Sequence, residues 1–335
     1  MRTPNSGLTA IVFDMSIAQT RVCSICGATL LETGMFPVRE MMNGTRELFH
    51  YSRCPDCECV QLMDPPQDIG SYYVDYYGRS RINIYGWTHR LHLIKFQVAL
   101  GQSKGIVGKL YNYLIEDPAP LSVKDIDHSS SVLDVGCASG QFLVLMMDSG
   151  FSNVRGCDPF IDDPIQYDNG VSIAKRTLDD EPGTFDLVMA HHVMEHVPNQ
   201  AEFAAQLYSK VRDNGMVLVR VPTSSSWAFD KYGSDWFQLD APRHFYLHSR
   251  QSIVRVLEGA GFVNVRIHDD STIRQILSSR LYSADIASNE HMRRYYANLP
   301  RMLVSGELAR LKKKVRRLNK DGLGDQICIF AEKKA

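Results

Sequence analysis

The chain has 335 residues, long enough for one large domain or two smaller ones with a sizeable core. Its formal net charge of −1 excludes a global basic field that would hold nucleic acid or a membrane surface. No apolar run approaches the ~20 residues of a membrane span, and Met1–Gln19 lacks the basic-then-apolar order of a signal peptide. The expected location is therefore the cytoplasm, where the eight cysteines are reduced thiols or metal ligands rather than disulfides.

Two C-x-x-C pairs come first, Cys23-Ser-Ile-Cys26 and Cys54-Pro-Asp-Cys57. A C-x-x-C turn lets two thiolates reach one ion, and two such knuckles complete a tetrahedral zinc site. The 27 residues between the pairs exceed the usual spacing. Leu30, Leu31, Phe36, Phe49 and Tyr51, in that interval, are expected to form a small hairpin under the metal. A ribbon spanning only residues 20–66 cannot build enough core alone, so the ion would stabilise it. Four protein ligands close such a site, which makes its role structural. Buried free thiols or a redox C-x-x-C are the competing readings, and the doubled pattern disfavours both. Cys59 lies near enough to the second knuckle to substitute for Cys57.

Residues 67–127 read as a helical linker or lid. Tyr72, Tyr73, Tyr76 and Tyr77 open it, and a helical stretch is predicted from about Ile84 to Glu116, closed by Pro118 and Pro120. The tyrosines fit two readings: packing between the ribbon and the main domain, or a lid whose phenols contact a ligand.

The run Val132 to Leu143, VLDVGCASGQFL, carries the clearest chemistry. A short apolar strand ends in Asp134 and the loop Gly136-Cys137-Ala138-Ser139-Gly140, and an amphipathic helix follows at once. Flexible backbone at the carboxyl end of a parallel strand is where open α/β sheets bind ligands. Glycine lets the chain pass close to a bound molecule, and the helix aims free N–H groups at the same place. Ala138 occupies the middle glycine of G-x-G-x-x-G, which argues against a dinucleotide, and no P-loop pattern is present. Asp158 lies 18 residues after Gly140, at the tip of a second strand Asn153–Cys157, placed to accept hydrogen bonds from ribose hydroxyls.

Beyond it the strand–helix alternation is regular. Phe185–Ala190 reads as a buried strand running into His191-His192-Val193-Met194-Glu195-His196. Asn199, with Glu202 three residues on, is a capping-box pattern opening a helix whose Phe203, Leu207 and Val211 share one face. Asn214-Gly215 turns the chain into a strand Met216–Val221, stopped by Pro222. A helix from about Arg250 ends at Gly261, and Val263–Ile267 and Gln326–Ala331 read as strands around a helical insertion at about 274–320. The loop from Pro222 to Ser249 offers Trp227, Phe229, Tyr232, Trp236 and Phe237 as stacking area, then Asp240-Ala-Pro-Arg243-His244. Arg243 is suited to a substrate carboxylate or phosphate, or else pairs internally with Asp240 to shape the loop. Segment 310–317 is basic: a solvated helix face, or an attraction to a phosphate-bearing substrate or an anionic membrane surface.

The D-x-G-x-x-x-G loop followed by Asp158 resembles the S-adenosylmethionine site of class I methyltransferases, from Val132 to about Phe262 and again near the C-terminus. The resemblance implies a Rossmann-like α/β domain over residues 128–335, with a mostly parallel sheet whose antiparallel edge hairpin is Val263–Ile267 and Gln326–Ala331. It also implies S-adenosylmethionine held by Asp134, Gly136, Cys137, Ala138, Gly140, Asp158, Pro159, Leu178 and His191. In that setting His192-x-x-Glu195-His196 is not the inverted zinc-protease pattern it matches in isolation, because it lies at the tip of the fourth strand, facing the donor. His196, with Glu195 beside it, is the candidate general base, since a hydroxyl acceptor, or a carbon next to a carbonyl, must lose a proton. Support of the loop is its competing role, and His244 is the second candidate base. Ala190-His-His-Val193 departs from the [NDS]-P-P-[YFW] of enzymes that methylate nucleobase amines.

The cysteine ribbon, the tyrosine linker, Glu-His and Asp-x-Pro-Arg-His together resemble methyltransferases of bacterial sugar and surface-polysaccharide pathways. That implies a saccharide or sugar-nucleotide acceptor. Some C-methyltransferases of keto sugars in this group carry a tyrosine just before Glu-His, where this chain has Val193 and Met194, and their C-terminal part is larger. O-methylation is therefore expected. Another small molecule, such as a quinone precursor, lipid or natural product, is the alternative acceptor. A docking or nucleic-acid role for the ribbon is a third reading. There Glu32, Glu40, Glu47, Asp56 and Glu58 offset Arg21, Arg39, Arg46 and Arg53, so no nucleic-acid partner is expected.

Overall fold

The computed structural model describes residues 21–73, 83, 84, 86–100, 126–288, 298 and 301–335. The expectations for Met1–Gln19, for Tyr76 and Tyr77, and for the linker helix from 101 to Glu116 with Pro118 and Pro120, lie outside the described residues.

The ribbon contains strands Met35–Arg39 (β1), Leu48–Arg53 (β2) and Val60–Leu62 (β3), and a helix Trp87–Ala99 (α1) follows in the linker. The main domain then runs Ser131–Val135 (β4), Gln141–Asp148 (α2), Asn153–Cys157 (β5), Ile165–Gln166 (β6), Ser172–Ala174 (β7), Phe185–His191 (β8) and Gln200–Lys210 (α3). Val211–Pro222 (β9), Trp227–Tyr232 (α4), Tyr246–Leu247 (β10), Arg250–Gly259 (α5) and Val263–Asp269 (β11) come next. Arg274–Ser283 (α6), Glu307–Lys320 (α7) and Gln326–Glu332 (β12) complete it.

Eight strands form the main sheet in the order β11-β12-β9-β8-β4-β5-β7-β6. Strands β9, β8, β4, β5 and β7 are mutually parallel, and β12 and β11 make the antiparallel edge. This is the Rossmann-like α/β fold the resemblance implied. Its central strands are apolar on both faces because both faces are covered. Phe203, Leu207, Ile253 and Leu257 of α3 and α5 pack on one side, and Phe96, Leu143 and Met146 of α1 and α2 on the other. Truncating any of these to alanine should cost about 2–5 kcal/mol.

Helix α3 begins as its capping box predicts, with the Asn199 side chain accepting from the Glu202 N–H. It ends one residue early. Val211 is not on its apolar face but extended and paired with Phe185 at the start of β9, a conformation its β-branched side chain favours. Asn214 (φ +63°) then turns within that strand, where the register against β8 shifts.

The ribbon sheet takes its fourth strand from the main domain, in the order β1-β2-β3-β10. One core joins Val38, Phe49, Tyr51 and Val60 to Phe229, Trp236, Leu239 and Leu247. The aromatic loop therefore spends much of its area on the ribbon: Trp236 is fully buried, and its Nε1 donates to Asp325 at 3.0 Å. The basic helix α7 likewise turns an apolar stripe inward, Leu311 and Val315 packing on Ile273, Ile276 and Met302. That stripe is thus withdrawn from any membrane surface. Among the described residues no helix is long and apolar enough to cross a membrane.

Candidate active site

Strands β5, β4, β8 and β9 end on one edge of the sheet, and the residues singled out after each strand gather there. Gly136 and Gly140 bracket the loop in left-handed conformations, φ +65° and +73°. A Cβ on Gly136 would meet Val193 Cγ2 at 2.6 Å, and one on Gly140 would strike Ile173. Ala138 adopts the same region at φ +49° without being glycine, a strain of roughly 1–3 kcal/mol. Its N–H is held by Asp158 Oδ2 at 2.8 Å, while Asp158 Oδ1 accepts from the Phe160 N–H at 2.8 Å. Asp158 thus braces the loop, and ribose hydroxyls would have to share its carboxylate with two backbone donors.

Asp134 is buried with Oδ1 unpartnered, and burial, then the neighbouring charge of Asp158, raises its pKa to about 8. A bound positive charge would relieve that cost. His191 Nε2 is buried without a partner, its ring 4.9 Å from Phe142. Burial, then Arg220 and His192, lowers its pKa to about 3, so the imidazole is neutral. Burial pushes the Cys137 thiol well up, leaving it protonated. Pro159 is exposed beside Asp158, whereas Leu178 is packed in the core with Leu133 and Phe185.

After His191 the chain turns through His192 (φ +55°) into the short turn Met194–His196. Glu195 is fully buried; Oε1 accepts from His192 Nδ1 at 2.9 Å and Oε2 has no partner. Burial alone would raise its pKa, but the His192 hydrogen bond and three nearby histidines outweigh it and hold it at about 2. The rings of His196 and His244 meet edge to face at 4.7 Å. His196 Nδ1 lies 3.0 Å from the Arg243 carbonyl and 3.0 Å from Tyr73 Oη, and His244 Nδ1 lies 2.7 Å from the Gln238 carbonyl. A carbonyl only accepts, so Nδ1 carries the proton in both rings and Nε2 is the basic nitrogen. Burial first, and His196 second, lower the His244 pKa to about 4 against the opposing carboxylates Asp240 and Glu195, so it is neutral near pH 7.

Arg243 is committed elsewhere. Fully buried, it donates to Asp240 Oδ1 at 2.5 Å, Glu40 Oε1 at 3.1 Å and the Tyr72 carbonyl at 3.0 Å. Of its two readings, internal pairing is the one the fold realises, and it ties the ribbon to the loop. Next to His244 lies a cavity of about 320 Å³ lined by His192, Arg220, Gln275 and Asp325 together with the apolar Met42 and Phe237. The Gln275 amide is buried with neither its oxygen nor its nitrogen hydrogen-bonded. Burial raises the Asp325 carboxyl to about 6.

In the ribbon, the sulfurs of Cys23, Cys26, Cys54 and Cys57 all lie within 4.8 Å of one another. Cys23–Cys57 measures 3.6 Å and Cys26–Cys54 3.5 Å. Tetrahedral zinc with arms of ~2.3 Å needs sulfur–sulfur edges of about 3.8 Å, so this donor set fits the ion. Knuckle turns close each pair, Gly27 N–H to the Cys23 carbonyl and Glu58 N–H to the Cys54 carbonyl. Cys59 does not substitute for Cys57; it is buried with its sulfur 4.0 Å from His248 Nδ1.

Three residues at the candidate site carry little or no sequence signal. Tyr73 was visible only as half of a Tyr-Tyr doublet, and its contact with His196 depends on how ribbon and main domain pack. Gln275 sits in the helical insertion with no local signal. Phe160, two residues past Asp158 at the tip of β5, is 66% exposed.

Residues 108–267 match the Methyltransf_23 family, described as a methyltransferase domain. Among curated proteins, the ubiquinone biosynthesis O-methyltransferase of Burkholderia multivorans is 28% identical over 144 residues, covering 39% of this chain and 61% of that protein. The protein of the same name from Pseudomonas aeruginosa is 30% identical over 122 residues, covering 31% of this chain and 52% of its own length. The chain thus spans only about half to three-fifths of these relatives. Solved structures with a similar chain course include a SAM-dependent methyltransferase from Archaeoglobus fulgidus (17% identity, TM-score 0.38, 73% of this chain and 99% of that one). Another is phosphoethanolamine N-methyltransferase 2 of Haemonchus contortus in complex with S-adenosyl-L-methionine (14%, TM-score 0.39, 82% and 62%). The sheet order, the glycine loop and the family match agree: residues 108–267 belong to a methyltransferase domain of Rossmann-like α/β fold.

Proposed function

We propose that this protein transfers a methyl group from S-adenosylmethionine to a hydroxyl oxygen of a saccharide or sugar nucleotide. The observation that carries the acceptor class is the buried, unsatisfied Gln275 amide at the wall of the cavity beside His244. An amide with both atoms orphaned favours a ligand rich in donors and acceptors, such as vicinal hydroxyls, over a flat apolar ring.

The donor, when bound, supplies a methyl carbon activated by a sulfonium. Asp134 would answer its positive charge, Asp158 its ribose hydroxyls, and His191 a further polar group, with Gly136, Cys137, Ala138, Gly140, Pro159 and Leu178 completing that side. On the acceptor side His196 or His244 takes the hydroxyl proton at Nε2, and ionised Glu195 stabilises the imidazolium that results. Alignment provides most of the acceleration, and a positioned base about 10²–10⁴-fold. We assign a structural zinc ion to Cys23, Cys26, Cys54 and Cys57. A cytoplasmic location fits the eight cysteines, all free thiols here.

Two other acceptors have specific support. The curated relatives are named for O-methylation in ubiquinone biosynthesis, which favours oxygen as the atom methylated and keeps a quinone precursor as the alternative. Tyr73 Oη, 3.0 Å from His196 Nδ1, supplies a phenol–histidine pair that the residues preceding Glu195 lack, which favours carbon methylation of a keto sugar as a second reading. The test is label transfer from methyl-tritiated donor to a panel of sugar nucleotides, with and without keto groups, beside catechols. Label on catechols alone would end the saccharide reading.

A further inference from the structure

Glu195, His196 and His244 do more than line the acceptor side. One nitrogen of each ring and one oxygen of Glu195 lie within 4.8 Å of one another. The three come from two segments, the turn after β8 and the loop after β9, so the fold and not local sequence assembles them.

Three features distinguish this cluster from ordinary buried polar packing. The first is tautomer. Metal-bound histidine almost always donates its other ring N–H to a carbonyl or carboxylate. Here His196 Nδ1 faces the Arg243 carbonyl at 3.0 Å and His244 Nδ1 the Gln238 carbonyl at 2.7 Å, which leaves Nε2 of each as the nitrogen with a lone pair; that of His244 lies 3.7 Å from Asp240 Oδ2. The second is the carboxylate: Glu195 is fully buried, anchored through Oε1 to His192 at 2.9 Å, with Oε2 accepting nothing. A buried oxygen with unmet acceptor capacity costs stability unless a cation or donor arrives. The third is position. His244 lines the 320 Å³ cavity, so an ion here would have protein on one side and an open coordination position on the other, as catalytic sites require.

We propose that Glu195, His196 and His244 bind a divalent transition-metal ion, with zinc the best match to a two-histidine, one-carboxylate set. This site is separate from the four-cysteine cluster. Tyr73, on His196 Nδ1, is a positioning residue for it. The ion's use rests on the methyl-transfer reading: it would hold the acceptor hydroxyl and lower its pKa, replacing the histidine base whose Nε2 it occupies. Its binding does not, because the geometry stands without any substrate.

The test is zinc titration calorimetry on the full-length chain already carrying one equivalent, with cobalt as a spectroscopic probe. A second saturable equivalent is expected, giving cobalt bands without thiolate charge transfer. Glu195→Gln and His244→Asn should each abolish it while retaining the cobalt–thiolate band of the cysteine cluster, which reports intact folding. Tyr73→Phe should weaken it about 10-fold. Wild-type protein taking up one equivalent only, or a second equivalent that survives both ligand variants, overturns the site. Donor affinity measured alongside keeps the two readings apart. Absence of donor binding with two metals present would sink methyl transfer and spare the site; methyl transfer with one metal present would do the reverse.

Discussion

Two buried polar clusters adjoin one another on the side proposed for the acceptor, and they are built to opposite ends. Around Arg243, every group has found its counterpart: Asp240, Glu40 and the Tyr72 carbonyl take the guanidinium N–H groups, and Glu40 in turn accepts from the Asn43 and Thr45 N–H groups. Around Glu195 and His244, by contrast, Glu195 Oε2 is left without a partner, and the cavity that His244 lines has the unpaired Gln275 amide in its wall. The same five-residue stretch contributes to both, Asp240 and Arg243 to the closed cluster and His244 to the open one. A closed buried network specifies structure, while an open one holds unsatisfied capacity for a ligand.

That contrast sets the order of expected effects. Arg243→Met strands two buried carboxylates and should destabilise the fold by about 3–5 kcal/mol, read in denaturant unfolding; a loss under 1 kcal/mol would remove its role as the tie between ribbon and loop. Glu195→Gln keeps an oxygen acceptor for His192 and should cost less stability than Arg243→Met, with turnover down about 100-fold or more. Equal damage to stability from both would erase the distinction between the clusters.

On the donor side, Asp134 has its pKa raised from 3.8 to about 8. Between those values the folded, donor-free chain keeps a proton that the unfolded chain has released, so this group's contribution makes stability fall as pH rises from about 4 to about 8. Asp134→Asn should flatten that slope and weaken donor binding; identical pH profiles of unfolding would contradict the raised pKa. The smallest effect is expected of Asp158→Ala, about 10-fold in donor affinity, or ~1.4 kcal/mol. Unchanged affinity in calorimetry would withdraw the ribose assignment.

The strand end and glycine loop proposed to hold the donor were largely legible in the sequence because their parts are local. Asp134 through Gly140 are one strand end and one loop, and Asp158 and His191 follow from strand order. The cysteine pairs were legible for the same reason, since each C-x-x-C carries its own turn. The acceptor side was not. Glu40 meets Arg243 across 203 positions and Tyr73 meets His196 across 123, and both contacts depend on β10 joining the ribbon sheet. Two residues of strand give no periodicity, so Tyr246–Leu247 left no trace, and the loop's aromatics read as a stacking surface when several of them are core. Val211 departs from its helical spacing with Leu207 because its extended preference is met by pairing with Phe185 of β8, which local spacing does not show.

The most direct test of saccharide O-methylation is carbon-13 NMR of product formed from methyl-labelled donor and a mixed panel of sugar nucleotides. A methoxyl resonance on a saccharide is the expected result. A C-methyl resonance, or label found only on catechol controls, would contradict it.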